Sequence, residues 1–463
     1  MKKVFALLLS LVSIFVLSAC LTGPGADEVE VNIPDEFPEE DIEIIMWHAF
    51  GQDNQDLLQE MFDEFEEMYP NVTIRQLGQG GYDDLRSATV SGVASGNTPT
   101  LVLGYPDHFV EYLTGNALVP LDEYIDHPDH GVDIDQYVEG FIAENRGYAD
   151  GLQYSMPFAK STEMVVYNKT VFDEHGIEFS MDDFITWDDL IDMANNYDLI
   201  GEGEYQAPHL FNIDSESNFF INTSVQWGAP YTTADGDILI DSDETRAMLN
   251  FMKEQFDNDI LSIPLEWEEN YGSVPFKAGD VLMSQGSTAG TRHNIPDNED
   301  GRFGMFEMGI MPVVQYDEDN PAAIQQGPNI ALMSDTTDEE RLAAWYLIRH
   351  ITNPENTAFF AMNTGYVPVR VDAFETDEYQ EFLDIARTPD DDLSAAELAR
   401  KPFSMAANVA YAQVDYYTFE PPFVGRVTSS NARAEVGFMI EAIYAGTRDV
   451  EEALQYALRE LGQ

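Results

Sequence analysis

The stretch IEIIMWHAFGQDNQDLLQEMFDEFEEMYPNVTIRQL, residues 42–77, decides the fold. Ile42 to Trp47 reads as a short buried strand. Asp56 to Tyr69 then sets Leu57, Met61, Phe62, Phe65 and Met68 on one helical face, and Pro70, with no N–H to continue the ladder, stops the helix. Val72 to Leu77 reads as a second strand. Strand, helix and strand in this order make the βαβ opening of a parallel sheet with covering helices, so the fold class is α/β.

The alternation continues beyond it. Leu101 to Leu103, Glu163 to Tyr167 and Gly309 to Val314 read as strands; Asp107 to Leu113 and Trp187 to Asn195 read as helices. Asp338 to Ile351 is a strongly amphipathic helix introduced by Thr337 with Glu340 three residues on, the spacing of a capping box. Arg433 to Tyr444 and Asp449 to Leu461 close the chain as helices. There is no internal repeat at periods of about 20 to 50 residues. A chain of 463 residues exceeds what one core supports, and two lobes is the economical division.

Apolar residues make up 44% of the chain and aromatics 12%, enough for packed cores. The surface is another matter. Against 85 Asp and Glu stand 22 Lys and Arg, a formal charge of −63, which excludes nucleic acid as a partner. Self-repulsion of this size is tolerated where salt shortens the Debye length to about 3 Å at about 1 M, which points to a high-salt habitat; an acidic bias of the lineage is the alternative.

Lys2 and Lys3 precede the apolar run Val4 to Leu17, too short to span a bilayer comfortably and shaped as a secretory signal. It ends Leu17-Ser18-Ala19-Cys20, the pattern of a bacterial lipobox, in which residues 1–19 are removed and the Cys20 thiol is lipidated. The alternative is an ordinary signal peptide with an incidental cysteine. Cys20 is the only cysteine, so no intrachain disulfide forms and no thiolate is left for chemistry. Residues 20–41, rich in Asp, Glu, Pro and Gly, read as a solvated tether from an extracytoplasmic membrane anchor.

No enzyme, metal or cofactor pattern emerges. His127 and His130 occupy a His-Pro-Asp-His turn without a third ligand, and Asp235 to Glu244 lacks the glycine and spacing of a calcium loop. Gly78-Gln79-Gly80-Gly81 fails both phosphate-loop spacings and reads as a turn. Among so many acids, carboxylate pairs fit for glycoside hydrolysis carry no information, so a secreted lipoprotein hydrolase acting on carbohydrate stays open as the rival class.

From about Ile42 onward the chain resembles the extracellular solute-binding proteins of ABC-type importers, the family of the maltose-binding and glycerol-3-phosphate-binding receptors. The resemblance is carried by Met156-Pro157-Phe158, Tyr167-Asn168-Lys169, Thr186-Trp187-Asp188-Asp189-Leu190, Phe276-Lys277-Ala278-Gly279-Asp280, Gly309-Ile310-Met311-Pro312, Asn353-Pro354-Glu355-Asn356 and Thr364-Gly365-Tyr366-Val367-Pro368, in that order. It implies a two-lobe periplasmic-binding-protein-like fold of type II, each lobe a mixed sheet flanked by helices, with a hinge between. On that basis residues 42–155 and about 300–350 are expected in the N-terminal lobe, and 156–299 and about 351–463 in the C-terminal lobe. The implied function is capture of a sugar or polyol by hinge closure and delivery to permease subunits, as a monomer, without cofactor or metal.

The glycerol-3-phosphate and glycerophosphodiester subgroup is the most similar. By that resemblance Tyr82, Ser161, Ser287, Gly327, Tyr366 and Arg433 contact the ligand. Hydroxyls and a backbone N–H suit a polyol, and Arg433 suits phosphate or, failing that, a surface ion pair. The chain also departs from the subgroup. Tyr105 and Pro106 stand where a glutamate is expected, with Asp107 one place late, and Asp214 and Ser217 stand where two cleft tryptophans are expected. Asp accepts from hydroxyls and repels phosphate, which favours a different head group or a neutral sugar. Trp227 reads either as a sugar platform or as core.

Overall fold

The computed structural model describes residues 29–297 and 299–463. The opening unit forms as its periodicity dictates: β1 (Ile42–His48) and β2 (Val72–Gly78) pair in parallel across the helix Gln52–Met68, and β3 (Leu101–Gly104) adds on the other side of β1. In that helix Leu58, Met61, Phe62 and Phe65 are buried at i, i+3, i+4 and i+7. Leu57 lies at the margin of this stripe, and Met68, expected on it, is 55% exposed in the last turn.

After β4 (Ser155–Pro157) the chain crosses to a second sheet and builds β5 (Ser161–Asn168), β6 (His209–Ile213), β7 (Leu261–Ser262), β8 (Val281–Ser287), β9 (Met308–Met311) and β10 (Ala323–Gln326). It crosses back at Gly327 to β11 (Asn329–Leu332), which lies antiparallel between β3 and β4, and later reaches β12 (Tyr417–Thr418) beside β10. The result is two sheets, β2-β1-β3-β11-β4 and β12-β10-β5-β8-β6-β7, with β9 also on β5. Each has its own apolar core.

The course of the chain differs from the expected partition. Within 300–350, β9 and β10 pair antiparallel with β5 in the second sheet, while β11 and the helix Asp338–Ile351 belong to the first. The helices Pro354–Thr364 and Asp377–Ile385, expected in the C-terminal lobe, bury Phe360, Met362, Phe382 and Leu383 in the first core. Helix Ala395–Ala412 bridges both sides: Ala410 packs in the first core, and Ala406 and Val409 pack on Met164 and Val166 of β5. Backbone pairing over more than a hundred residues sets these assignments, and local periodicity carries no trace of it.

The capping box forms as read: Glu340 N–H donates to Thr337 Oγ1 at 3.2 Å and Thr337 N–H to Glu340 Oε2 at 2.8 Å. Residues 29–41 are not a free tether. Val29, Val31, Ile33 and Phe37 pack on the first core, Phe37 lies 4.3 Å from the Tyr69 ring, and Arg341 donates to the Glu30 carbonyl. His130, read as part of a surface loop, is buried against this strap, its ring facing the Pro34 carbonyl at 3.1 Å and the Tyr346 hydroxyl at 2.8 Å. The signal segment and Cys20 fall outside the described residues. No described helix is long and apolar enough to cross a membrane.

At the second crossing the backbone leaves no room for a side chain. Gly327 has φ +94°, and a Cβ there would lie 2.0 Å from the Ala159 carbonyl oxygen of the first crossing. Replacing Gly327 by Ala is therefore expected to lower unfolding stability by about 3 kcal/mol, through backbone strain and displacement of Ala159. Urea denaturation in molar salt checks this, and an unchanged midpoint would contradict the packing at the crossings.

Candidate functional site

A cavity of about 520 Å³ lies between the lobes, within the range of small-molecule sites. Three helix starts build it. Tyr105 caps the helix Pro106–Leu113, whose first turn, begun by Pro106, presents Asp107 and His108. Ser215 caps Glu216–Gln226, accepting from Asn218 N–H at 3.3 Å, so that Asp214, Ser217 and Asn218 face inward. Thr428 caps Ser429–Tyr444, which presents Ser430 and Arg433. The partial positive charge of these helix ends favours an acceptor-rich lining. Ser430 Oγ donates across the gap to Asp107 Oδ2 at 2.7 Å, joining the second lobe to the first.

The lining is acidic. Asp83, Asp107, Glu144, Glu163, Asp214 and Glu420 line it, against Arg86 and Arg433. Both arginines already hold carboxylates, Arg433 with Glu420 and Arg86 with Glu111 at 2.9 Å. Glu163, buried in β5, accepts from Asn218 Nδ2 at 2.8 Å and Gln285 Nε2 at 2.6 Å. Burial lifts its carboxyl, and Asp214 adds to the rise against the two amide bonds and Arg433, bringing it to about 7. Asp214 accepts from Gly272 N–H and is raised chiefly by burial. Burial also lifts Glu144 and lowers Lys160, each opposed by the other across a 2.5 Å contact.

The structure brings some of the residues named from sequence together and sets others apart. Ser287, at the end of β8, lines the cavity with Asp214 and Arg433. Tyr105 does too; its ring stands edge-on to Tyr82 at 4.8 Å, and Tyr82 in turn bonds to the Tyr366 side chain, with neither Tyr82 nor Tyr366 in the lining. Ser161 is buried in the β5–β10 pairing opposite Gln326, and Gly327 offers its carbonyl to Lys160 Nζ at 3.0 Å. Neither of the two is in the lining. Trp227 is not in the lining: its ring stacks on Tyr316 at 3.5 Å and packs against Phe251 at 4.9 Å, on the second core. Sequence reading missed Glu163, Asn218, Gln325 and Glu420. For Glu163 a signal existed, since a carboxylate in an otherwise wholly buried strand demands a polar reason.

Two α/β lobes around a polar interlobe cavity define a class of reversible solute binders, and the family model for bacterial extracellular solute-binding proteins matches residues 60–386. The chain belongs to that family. Among its relatives, the sn-glycerol-3-phosphate-binding periplasmic protein UgpB of Salmonella typhimurium is 24% identical over 377 residues, covering 78% of this chain and 81% of that protein. Among solved structures, UgpB from Mycobacterium tuberculosis in complex with glycerophosphocholine superposes with a TM-score of 0.71 at 20% identity, over 90% of this chain and 97% of that one. The cyclic alpha-maltosyl-1,6-maltose binding protein from Arthrobacter globiformis gives 0.68 at 19% identity, over 90% and 97%. At these identities the two structures establish the shared fold.

Glu163 sets a pH dependence. Its folded value, about 7, lies above the ordinary 4.5, so it favours the folded state fully below about 4.5, and that contribution is lost as pH rises through 7. Between about pH 4 and pH 8 the unliganded protein is expected to lose ~3 kcal/mol more than Glu163→Gln. Denaturation curves of both proteins at fixed high salt measure the difference, and parallel pH profiles would contradict the assignment.

Proposed function

We propose that this chain is the solute-capturing lipoprotein of an ABC-type importer and that its solute is a small polyhydroxylated molecule without net negative charge. One observation carries the choice of solute: each arginine lining the cavity is already paired with a carboxylate, and further carboxylates line the same walls. A phosphate reaching Arg433 must displace Glu420 and stand among Asp107, Glu163 and Asp214, a repulsion magnified where water is excluded. Sugar or polyol hydroxyls instead donate to those carboxylates and accept from Ser287 and the helix starts.

Capture follows from the two-lobe geometry. A solute touching both walls stabilises the closed arrangement over the open one, and the closed form docks on permease subunits. Micromolar affinity requires about −8 kcal/mol, within reach of several hydrogen bonds in a closed cleft. No bond is broken. The protein acts as a monomer held outside the membrane by acyl chains on Cys20. A phosphate-bearing polyol is the second reading; it is favoured by the name of the Salmonella relative and by the position of Arg433 in the lining.

Titration calorimetry in molar salt decides between them. Neutral mono- and disaccharides and polyols are expected to include a micromolar binder recovered chemically intact, and glycerol-3-phosphate is expected to bind at least a hundredfold more weakly. Micromolar binding of glycerol-3-phosphate that Arg433→Ala abolishes would establish the phosphate reading, and conversion of any bound sugar would return the hydrolase.

A further inference from the structure

Glu163 and Asp214 flank one residue of β8. Gln285 donates its side-chain amide to Glu163 at 2.6 Å, and its carbonyl accepts from Asp214 N–H at 2.9 Å. Both carboxylates line the cavity from the second lobe, and the charge of Asp214 acts on Glu163. Among the described residues no Lys, Arg or His reaches either at ion-pair distance; their partners are the amides of Asn218 and Gln285 and the Gly272 N–H. Buried carboxylates without a cation are costly, and the protein supplies cations to their neighbours Glu144 and Glu420.

A second feature is independent of these charges. Asn218 and Gln325 are more than nine-tenths buried in the same lining, and each commits its NH₂ to a protein acceptor, Glu163 Oε1 and the Gly140 carbonyl. Their side-chain oxygens, Asn218 Oδ1 and Gln325 Oε1, have no partner in the protein. The wall therefore lacks both a donor for these oxygens and an ion pair for the two carboxylates, which Arg433 and His293 influence only from beyond ion-pair distance. Hydroxyls supply the first only. A primary ammonium supplies both, with three N–H donors and a full charge, and charge-assisted bonds are about twice as strong as neutral ones. A quaternary ammonium has no N–H for the amide oxygens, and no group of three or more His, Cys, Asp or Glu among the described residues is arranged to hold a metal ion.

We propose that the solute carries a primary ammonium group, as in an amino sugar or amino polyol, seated on Glu163 and Asp214 with its N–H groups directed at the unpartnered amide oxygens. This rests on the capture of a polyhydroxylated solute and narrows its class. A solute that is cationic at one end is also drawn inward by the −63 charge of the chain.

Matched pairs test it by calorimetry at pH 7: glucosamine with glucose, galactosamine with galactose, and serinol with glycerol, with choline as the quaternary control. The amine is expected to bind at least tenfold more tightly than its hydroxyl twin in one pair or more, and choline no better than glycerol. Glu163→Gln and Asp214→Asn, each checked for native circular dichroism, are each expected to remove most of that ratio, weakening the amine far more than its hydroxyl twin. Hydroxyl twins binding as tightly as amines, or a ratio that survives both substitutions, would overturn the ammonium seat and leave polyol capture standing. If no member of any pair binds, the polyol reading falls, and the ammonium seat with it.

Discussion

One buried lysine holds the two halves in register. Lys160 stands at the first crossing, between β4 and β5, with no exposed surface; its ammonium donates to Glu144 Oε2 at 2.5 Å and to the Gly327 carbonyl of the second crossing at 3.0 Å. Asn329 Nδ2 adds a bond to the same Glu144 oxygen at 3.1 Å, and the Lys160 carbonyl accepts from Val367 N–H at 2.6 Å. A single residue thus gathers both crossings, the helix Glu139–Asn145 and the chain leaving Pro354–Thr364. Breaking such a buried pair from one side costs about 3–5 kcal/mol, because the abandoned charge has no water to turn to. The close approach that requires glycine at 327 follows from the same convergence.

Glu144 also lines the cavity, so the tie between the lobes forms part of the cavity's own lining. The helix Ala395–Ala412 and the stack of Phe141 on Tyr417 add apolar contact near this tie, and farther out the lobes meet in polar contacts such as Ser430 to Asp107 and the exposed pair of Arg292 with Asp53. Exposed ion pairs contribute ~0–1 kcal/mol and less in salt. The fixed element is therefore at the crossings and the separable ones at the mouth, an arrangement suited to opening about the crossings while each core stays intact.

The opening βαβ unit and the capping box at Thr337 were legible because both are local: period, proline and cap lie within a few residues of one another. The strap at 29–41 was misread because its acidic composition masked the alternate Val29, Val31 and Ile33. The lobe boundaries were illegible for a different reason. β9, β10 and β11 are short apolar runs whose sheet is chosen by pairing with strands far away in sequence. At the site, Asp214, Ser287 and Arg433 were reached through resemblance to a family and not through pattern. Tyr82, Tyr366, Ser161 and Gly327, named through the same resemblance, are not among the residues that line this cavity. Glu163 and Gln325 come inward only because β5 and β10 pair at the cavity edge.

Rigid lobes turning about a fixed crossing make a demand on shape. Small-angle X-ray scattering of the protein, alone and saturated with a solute that calorimetry has already found to bind, measures it directly. The account predicts a smaller radius of gyration and a shorter maximum dimension in the bound state. Identical profiles with and without a demonstrably bound solute would contradict it.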